Sequence, residues 1–254
     1  MILISPAKNL NLDVESYCFT DLTEPVFLKK TNKLLGFLKK LNLSEVKKLM
    51  NVSDSLAEIN FDRLRVHSTK NAVLKPAAFL FSGDTFNGLQ IRTFDHTSSG
   101  LAQRKLRILS GLYGLLRPFD QISPYRLEMG TGIKYILGEQ LSEFWKDDIT
   151  NSINNDLIKN KSQYLFNLSS NEYFESIKKE KIKSKIINFD FKKLENKSLK
   201  NIGMMIKKCR GSMAKFLLTN NIDSLAEIKK FSELGFKFHT FDESVNKFTF
   251  AKNE

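Results

Sequence analysis

QYLFNLSSNEYFESIKKEKIKSKIINFDF, residues 163–191, contains two apolar runs, QYLFNL and KIINFDF, separated by a polar, lysine-rich interval. Runs that are apolar almost throughout, and not in strict alternation, belong to strands covered on both faces. They predict the centre of a sheet. MILIS (1–5), AAFLF (77–81), IGMMI (202–206), FKFHTF (236–241) and KFTFA (247–251) also read as strands. Between them lie helical signals. PVFLKKTNKLLGFLKKL (25–41) spaces Phe27, Leu34, Leu38 and Leu41 for one helix face. Two shorter helices follow, with Ser44 as a cap of the first and Ser55 to Glu58 as a capping box opening the second. RGSMAKFLLTNN (210–221) and DSLAEIKKF (223–231) complete the set. Strands and helices mix without a regular βαβ beat, and no low-complexity linker divides the chain. The expectation is α+β, or irregular mixed α/β: one compact domain over 1–254, with a central mixed sheet and flanking helices.

Composition narrows the function classes. A 254-residue chain with 41% hydrophobic residues, 21 of them Phe, supports a large core. No apolar run reaches the ~20 residues of a membrane span, and the start lacks the pattern of a signal peptide. Cys18 and Cys209 have no spacing partner, which fits a reducing cytoplasm. His67, His96 and His239 share no ligand spacing, so no metal and no cofactor is expected. DSLAEI occurs at 54–59 and again at 223–228, but the flanks do not match and the repeat reads as coincidence.

The charge has a location. Net charge is +12, and residues 178–215 carry thirteen Lys or Arg against three Asp or Glu. Such a window attracts polyanions, or is a solvated face of a lysine-rich chain. Arginine discriminates better, since only eight accompany 32 lysines and a guanidinium grips phosphate or carboxylate with two bonds. Arg104, Arg107, Arg117 and Arg126 crowd together, and Arg210 stands in the basic window.

Four stretches could carry chemistry. LMNVSDSLAEI (49–59) has the outline of a helix-hairpin-helix within about 44–61, with Asn51 and Ser53 where glycines are usual. Its turn would aim backbone N–H groups at a phosphate, helped by Lys47 and Lys48; a plain αα-hairpin is the alternative. MMIKKCRGSMAKF (204–216) reads as strand, basic turn and helix, with Lys207, Lys208 and Arg210 around an anion and Gly211 allowing close backbone approach. SGLYGLLRPFDQISPYRLEMGT (110–131) reads as a stiff wall carrying Arg117 and Arg126, with Glu128 as an ion-pair or orienting partner. Lys8, Asp84, Glu172 and Tyr173 would join these arginines in an acid–base or phosphoryl-transfer site if they converge. Cys209, between Lys208 and Arg210, reads as an incidental thiol.

ILISPAKNL, LMNVSDSLAEIN, FSGDTFNGL, the 106–131 block, NLSSNEYFESI and KKCRGSMAKFLLTNNI together resemble the bacterial YaaA family of peroxide stress proteins, nearly end to end. The resemblance implies a cytosolic protein that limits iron-linked oxidative damage. It also implies DNA binding in a positively charged cleft with a helix-hairpin-helix. It implies no catalytic residues. Phe86 stands where many members have Tyr, and Asn9 where Thr is common.

The leading expectation is therefore a monomeric DNA-binding protein, taking double-stranded or structured DNA. Its phosphates would meet Lys8, Lys47, Lys48, Asn51, Ser53, Arg117, Arg126, Lys207, Lys208 and Arg210. The alternative is an enzyme acting on a phosphorylated or nucleotide-like ligand, using Asp84, Glu128, Glu172 and Tyr173. A long groove favours the first and a small deep pocket the second. Direct iron sequestration ranks last.

Overall fold

Ile2–Ile4 forms β1, with every side chain at 2% exposure or less, in the interior of an eight-stranded sheet. The computed structural model describes all residues except 14, 16, 18–20, 70, 197 and 254. The reading of Cys18 as a reduced thiol falls outside the described residues. The remaining strands are β2 (Leu106–Ser110), β3 (Gly114–Leu116), β4 (Tyr164–Leu168), β5 (Lys185–Glu195), β6 (Ser198–Asn201), β7 (Lys237–Asp242) and β8 (Lys247–Asn253). Their order is β7-β8-β5-β4-β1-β2-β3, with β6 also paired to β5. From β8 to β2 each neighbouring pair is parallel; β3, β6 and β7 attach antiparallel. The domain is mixed α/β around a mixed sheet, as expected.

Phenylalanine explains the sheet's distal half. Register places Phe248 opposite Phe189 and Phe250 opposite Phe191. Their rings stack at 5.9 and 5.8 Å between centroids. Cross-strand aromatic pairs of this kind are the unit of sheet stabilisation.

Two predicted strands are corrected. In AAFLF, Ala77–Leu80 is a single helical turn, and only Phe81 continues into a two-residue strand with Ser82. All five residues are buried, so an apolar run alone did not distinguish the two forms. IGMMI is no strand. Gly203 turns at φ +56°, Met204 is exposed, and Met205 already opens a helix.

The labelled helices are α1 (Leu28–Leu38), α2 (Leu43–Met50), α3 (Asp54–Val66), α4 (Asp84–Leu89), α5 (His96–Lys105), α6 (Leu141–Lys159) and α7 (Met205–Thr219). α2 and α3 form the expected helix pair, with Asn51 left-handed at φ 48°. The caps shift by two residues: Asn42, not Ser44, makes a reciprocal box with Glu45, and Ser53, not Ser55, caps α3. The second DSLAEI uses Ser224 as its cap, the position equivalent to Ser55, so the two copies start helices in different registers.

α4, α5 and α6 were not anticipated. In α6, Trp145, Ile149, Ile153 and Leu157 are all buried at four-residue spacing. That period was present, but many Asn, Asp, Ser and Thr residues lowered the helical signal around it. α7 packs on β1, β4 and β5 and crosses α4 in backbone contact. A Cβ on Gly211 would stand 1.8 Å from the Thr85 carbonyl, and one on Gly88 would stand 2.1 Å from the Lys208 carbonyl. Gly211 therefore serves a helix crossing rather than an anion-binding turn.

Candidate anion-binding site

Parallel strands leave a crevice beyond their carboxyl ends, where connecting segments diverge. β1 ends into Ser5-Pro6-Ala7-Lys8, and β4 ends into Ser169-Ser170 and the short helix Asn171–Phe174. These ends are tied together: Ser5 Oγ donates to Ser170 Oγ and accepts from the Ser170 N–H at 2.9 Å. A pocket of about 420 Å³ opens over them, closed by Gly83 to Thr85, by Tyr125 to Glu128, and by the start of α7.

The wall from Tyr125 to Glu128 is held rigidly. A Cβ on Gly111 would meet the Leu127 carbonyl at 2.2 Å, so only glycine admits this close approach. Tyr125, buried, shares a 2.6 Å hydrogen bond with Ser110. Tyr125, Arg126, Leu127 and Glu128 all line the pocket, while Met129 joins the core. Arg126 Nε donates to Glu128 at 3.1 Å, and Lys8 approaches the same oxygen at 3.6 Å. Glu172 accepts the Gly130 N–H at 2.9 Å, tying this wall to the end of β4. Next to it, the buried Tyr173 phenol is pushed well above its ordinary pKa by loss of solvent, and remains protonated.

The opposite wall comes from α7. Its first turn has no side-chain cap and no acidic residue, and it carries Lys207 and Lys208. Arg210 follows one turn on. Its Nε is buried without a hydrogen-bond partner among the described residues. Desolvation lowers the Arg210 pKa against the pull of Asp190, whose carboxylate also pairs with Lys192 at 3.2 Å. A buried guanidinium N–H without an acceptor is costly, and it is a donor that an anion can satisfy.

Eight of the expected residues thus converge: Lys8, Asp84, Arg126, Glu128, Glu172, Tyr173, Lys207 and Arg210. Others do not. Antiparallel pairing of Leu116 with Ile108 sets Arg117 beside the amino end of β2, while the pocket lies beyond its carboxyl end. Arg117 there bonds the fully buried Asp120 and the Glu24 carbonyl, and lines a separate recess with Arg104 and Arg107. The 110–131 stretch is therefore not one arginine wall. Lys208 is exposed outside the pocket. Lys47, Lys48, Asn51 and Ser53 sit on the α2–α3 pair, also apart from it, where Lys47 pairs with Asp54 and the Ser53 hydroxyl accepts the Leu56 N–H. The basic 178–215 window is spread over several elements, with Lys178, Lys192 and Lys200 paired to local carboxylates.

The sequence reading missed Ser5, Ser170, Tyr125 and Leu168 as pocket residues; the positions after apolar strands were the available signal. Among the described residues, no three His, Cys, Asp or Glu gather as a metal site. No helix among them is long and apolar enough to cross a membrane. Burial pushes the Cys209 thiol up to about 11, away from nucleophilic use.

A family model described as peroxide stress protein YaaA matches residues 1–241. The chain is 41% identical to a UPF0246 protein of Rickettsia rickettsii over 253 residues, the whole of both chains. It is 38% identical to a UPF0246 protein of Legionella pneumophila over 255 aligned positions, 99% of each.

Proposed function

The chain belongs to the peroxide stress protein YaaA family, and from that premise we propose that it acts in the peroxide response by binding DNA through its phosphates. The observation that carries this reading is Arg210: a half-buried guanidinium whose Nε has no acceptor among the described residues, facing a pocket shared with Lys207, Arg126 and Lys8. Phosphate supplies the missing acceptor and suits the guanidinium fork. The +12 net charge adds salt-sensitive attraction along a strand. Binding in the cytoplasm then limits iron-linked damage by covering DNA or holding it for repair. The α2–α3 pair is a second contact of the same kind.

A second reading is favoured by the pocket's size and its three carboxylates, Asp84, Glu128 and Glu172. In this reading the protein is an enzyme acting on a phosphorylated or nucleotide-like ligand, with Arg210 and Lys207 holding the phosphate.

Fluorescence-anisotropy titration of duplex, single-stranded and junction DNA, from low to moderate salt, separates the two. The DNA reading expects a steep salt slope and at least a tenfold loss of affinity in Lys207→Ala/Arg210→Ala. Absence of binding to every DNA form sinks it and leaves the small-ligand enzyme.

A further inference from the structure

A pocket of about 420 Å³ is near the small end of ligand sites and has no room for a duplex. Its lining divides by chemistry. Lys207 and Arg210 form a phosphate end. Pro6, Ala7, Leu127 and Leu168 supply apolar surface, with the rings of Tyr125 and Tyr173 beside them. Glu128 and Glu172 add carboxylate oxygens, and Glu172 uses only Oε1 on the Gly130 N–H. Carboxylates accept hydrogen bonds and never donate, so a ligand seated against their other oxygens presents N–H or O–H donors there. A phosphate, a flat partly apolar body and N–H or O–H donors within this volume describe one nucleotide.

We propose that the pocket receives a single nucleotide unit of a DNA strand, turned out of the base stack, with its phosphate on Arg210 and Lys207. The inference rests on the DNA-binding reading and deepens it. A backbone phosphate bound this far inside the pocket draws its own nucleoside in with it. Extrusion is easiest where a base is unpaired or mismatched, so such positions are occupied first. A free mononucleotide offers the same chemistry, and the experiment distinguishes the two sources.

The probe is a duplex carrying one 2-aminopurine, either paired or opposite a mismatch, titrated to saturation with the full chain. Anisotropy of an end label reports DNA binding, and 2-aminopurine emission reports unstacking. The expected result is a severalfold rise in emission, larger at the mismatch. Ala7→Phe, which fills the pocket, and Glu172→Gln, which keeps the Gly130 acceptor but removes charge, should each reduce the rise at least twofold when read at saturation. Thermal melts confirm that both variants fold. Saturable anisotropy with no emission change on either duplex overturns the extrusion inference while leaving the DNA reading intact. Binding of dAMP or AMP by calorimetry, with no anisotropy change on any DNA, overturns both and assigns the pocket to a free nucleotide.

Discussion

Arg126 donates from Nε to Glu128 Oε1 at 3.1 Å, two residues along one extended segment. Arg126 therefore enters the pocket with its orientation set before any ligand arrives. Glu128→Gln retains an acceptor but removes a negative charge from the pocket that receives the phosphate. Coulomb attraction across a half-solvated site makes that change worth about 1 kcal/mol, so DNA affinity should rise roughly fivefold at low salt. Glu128→Ala, which also frees the guanidinium, should gain less. Salt-dependent anisotropy checks both, and weaker binding by the Gln variant refutes the view that the Glu128 charge opposes phosphate.

The proposed role sets Arg210 against stability and in favour of binding. Replacing a half-buried guanidinium, whose Nε finds no acceptor among the described residues, with Met should raise the stability of the ligand-free protein by about 1 kcal/mol. The same change should weaken DNA binding at least tenfold. Thermal melting and titration on one preparation test the pair of effects; a lower Tm contradicts the account of Arg210 as strained.

Arg117 should behave in the opposite way. It bonds Asp120, which is 0% exposed and whose carboxyl burial pushes up in pKa against the pull of Thr23 and Arg117. Arg117→Ala leaves that carboxyl short of a partner and should cost about 3 kcal/mol in urea unfolding. Its effect on the pocket's affinity should be under twofold, because it stands at the other end of β2.

Gly211→Ala puts a methyl 1.8 Å from the Thr85 carbonyl inside the α4–α7 crossing. Backbone cannot yield as a flexible side chain does, so the cost should reach ~3 kcal/mol or more. The helices must part, and Arg210, one residue earlier, should lose its position with them. Denaturant midpoints and DNA titration should therefore fail together.

His67 makes stability pH-dependent. Its Nε2 meets the Tyr113 hydroxyl at 2.8 Å, and that hydroxyl also accepts the Ser123 N–H at 3.1 Å. With the oxygen already accepting from Ser123, the phenol has its O–H to offer, which a neutral imidazole can accept and a protonated one cannot. Burial first, and Lys39 second, lower the His67 pKa from 6.5 to about 4. The folded state resists protonation, so this contribution is complete above pH 6.5 and is lost as pH falls towards 4. The full loss approaches ~3 kcal/mol. Urea midpoints across this range should drop in the wild type and flatten in His67→Gln.

The sequence by itself determined much of the scaffold. β1, β4, β5 and β8 were legible because central strands are apolar almost throughout, and α1 because its face repeats at helical spacing. It also carried the family, in motifs spread from end to end. It could not separate the one-turn helix at Ala77–Leu80 from a strand, since complete burial erases the period that distinguishes them. The site was legible as a set of residues and not as a place. Lys8, Asp84, Glu172 and Arg210 lie far apart in sequence, and parallel pairing of β1 with β4, together with the α7–α4 crossing, brings them together. Arg117 and Arg126, neighbours in the sequence, were sent to opposite ends of β2 by the reversal at Gly111 to Gly114. Local pattern reports which face a residue prefers. Which residues meet is decided by strand order and by the few points where only glycine lets two backbones touch.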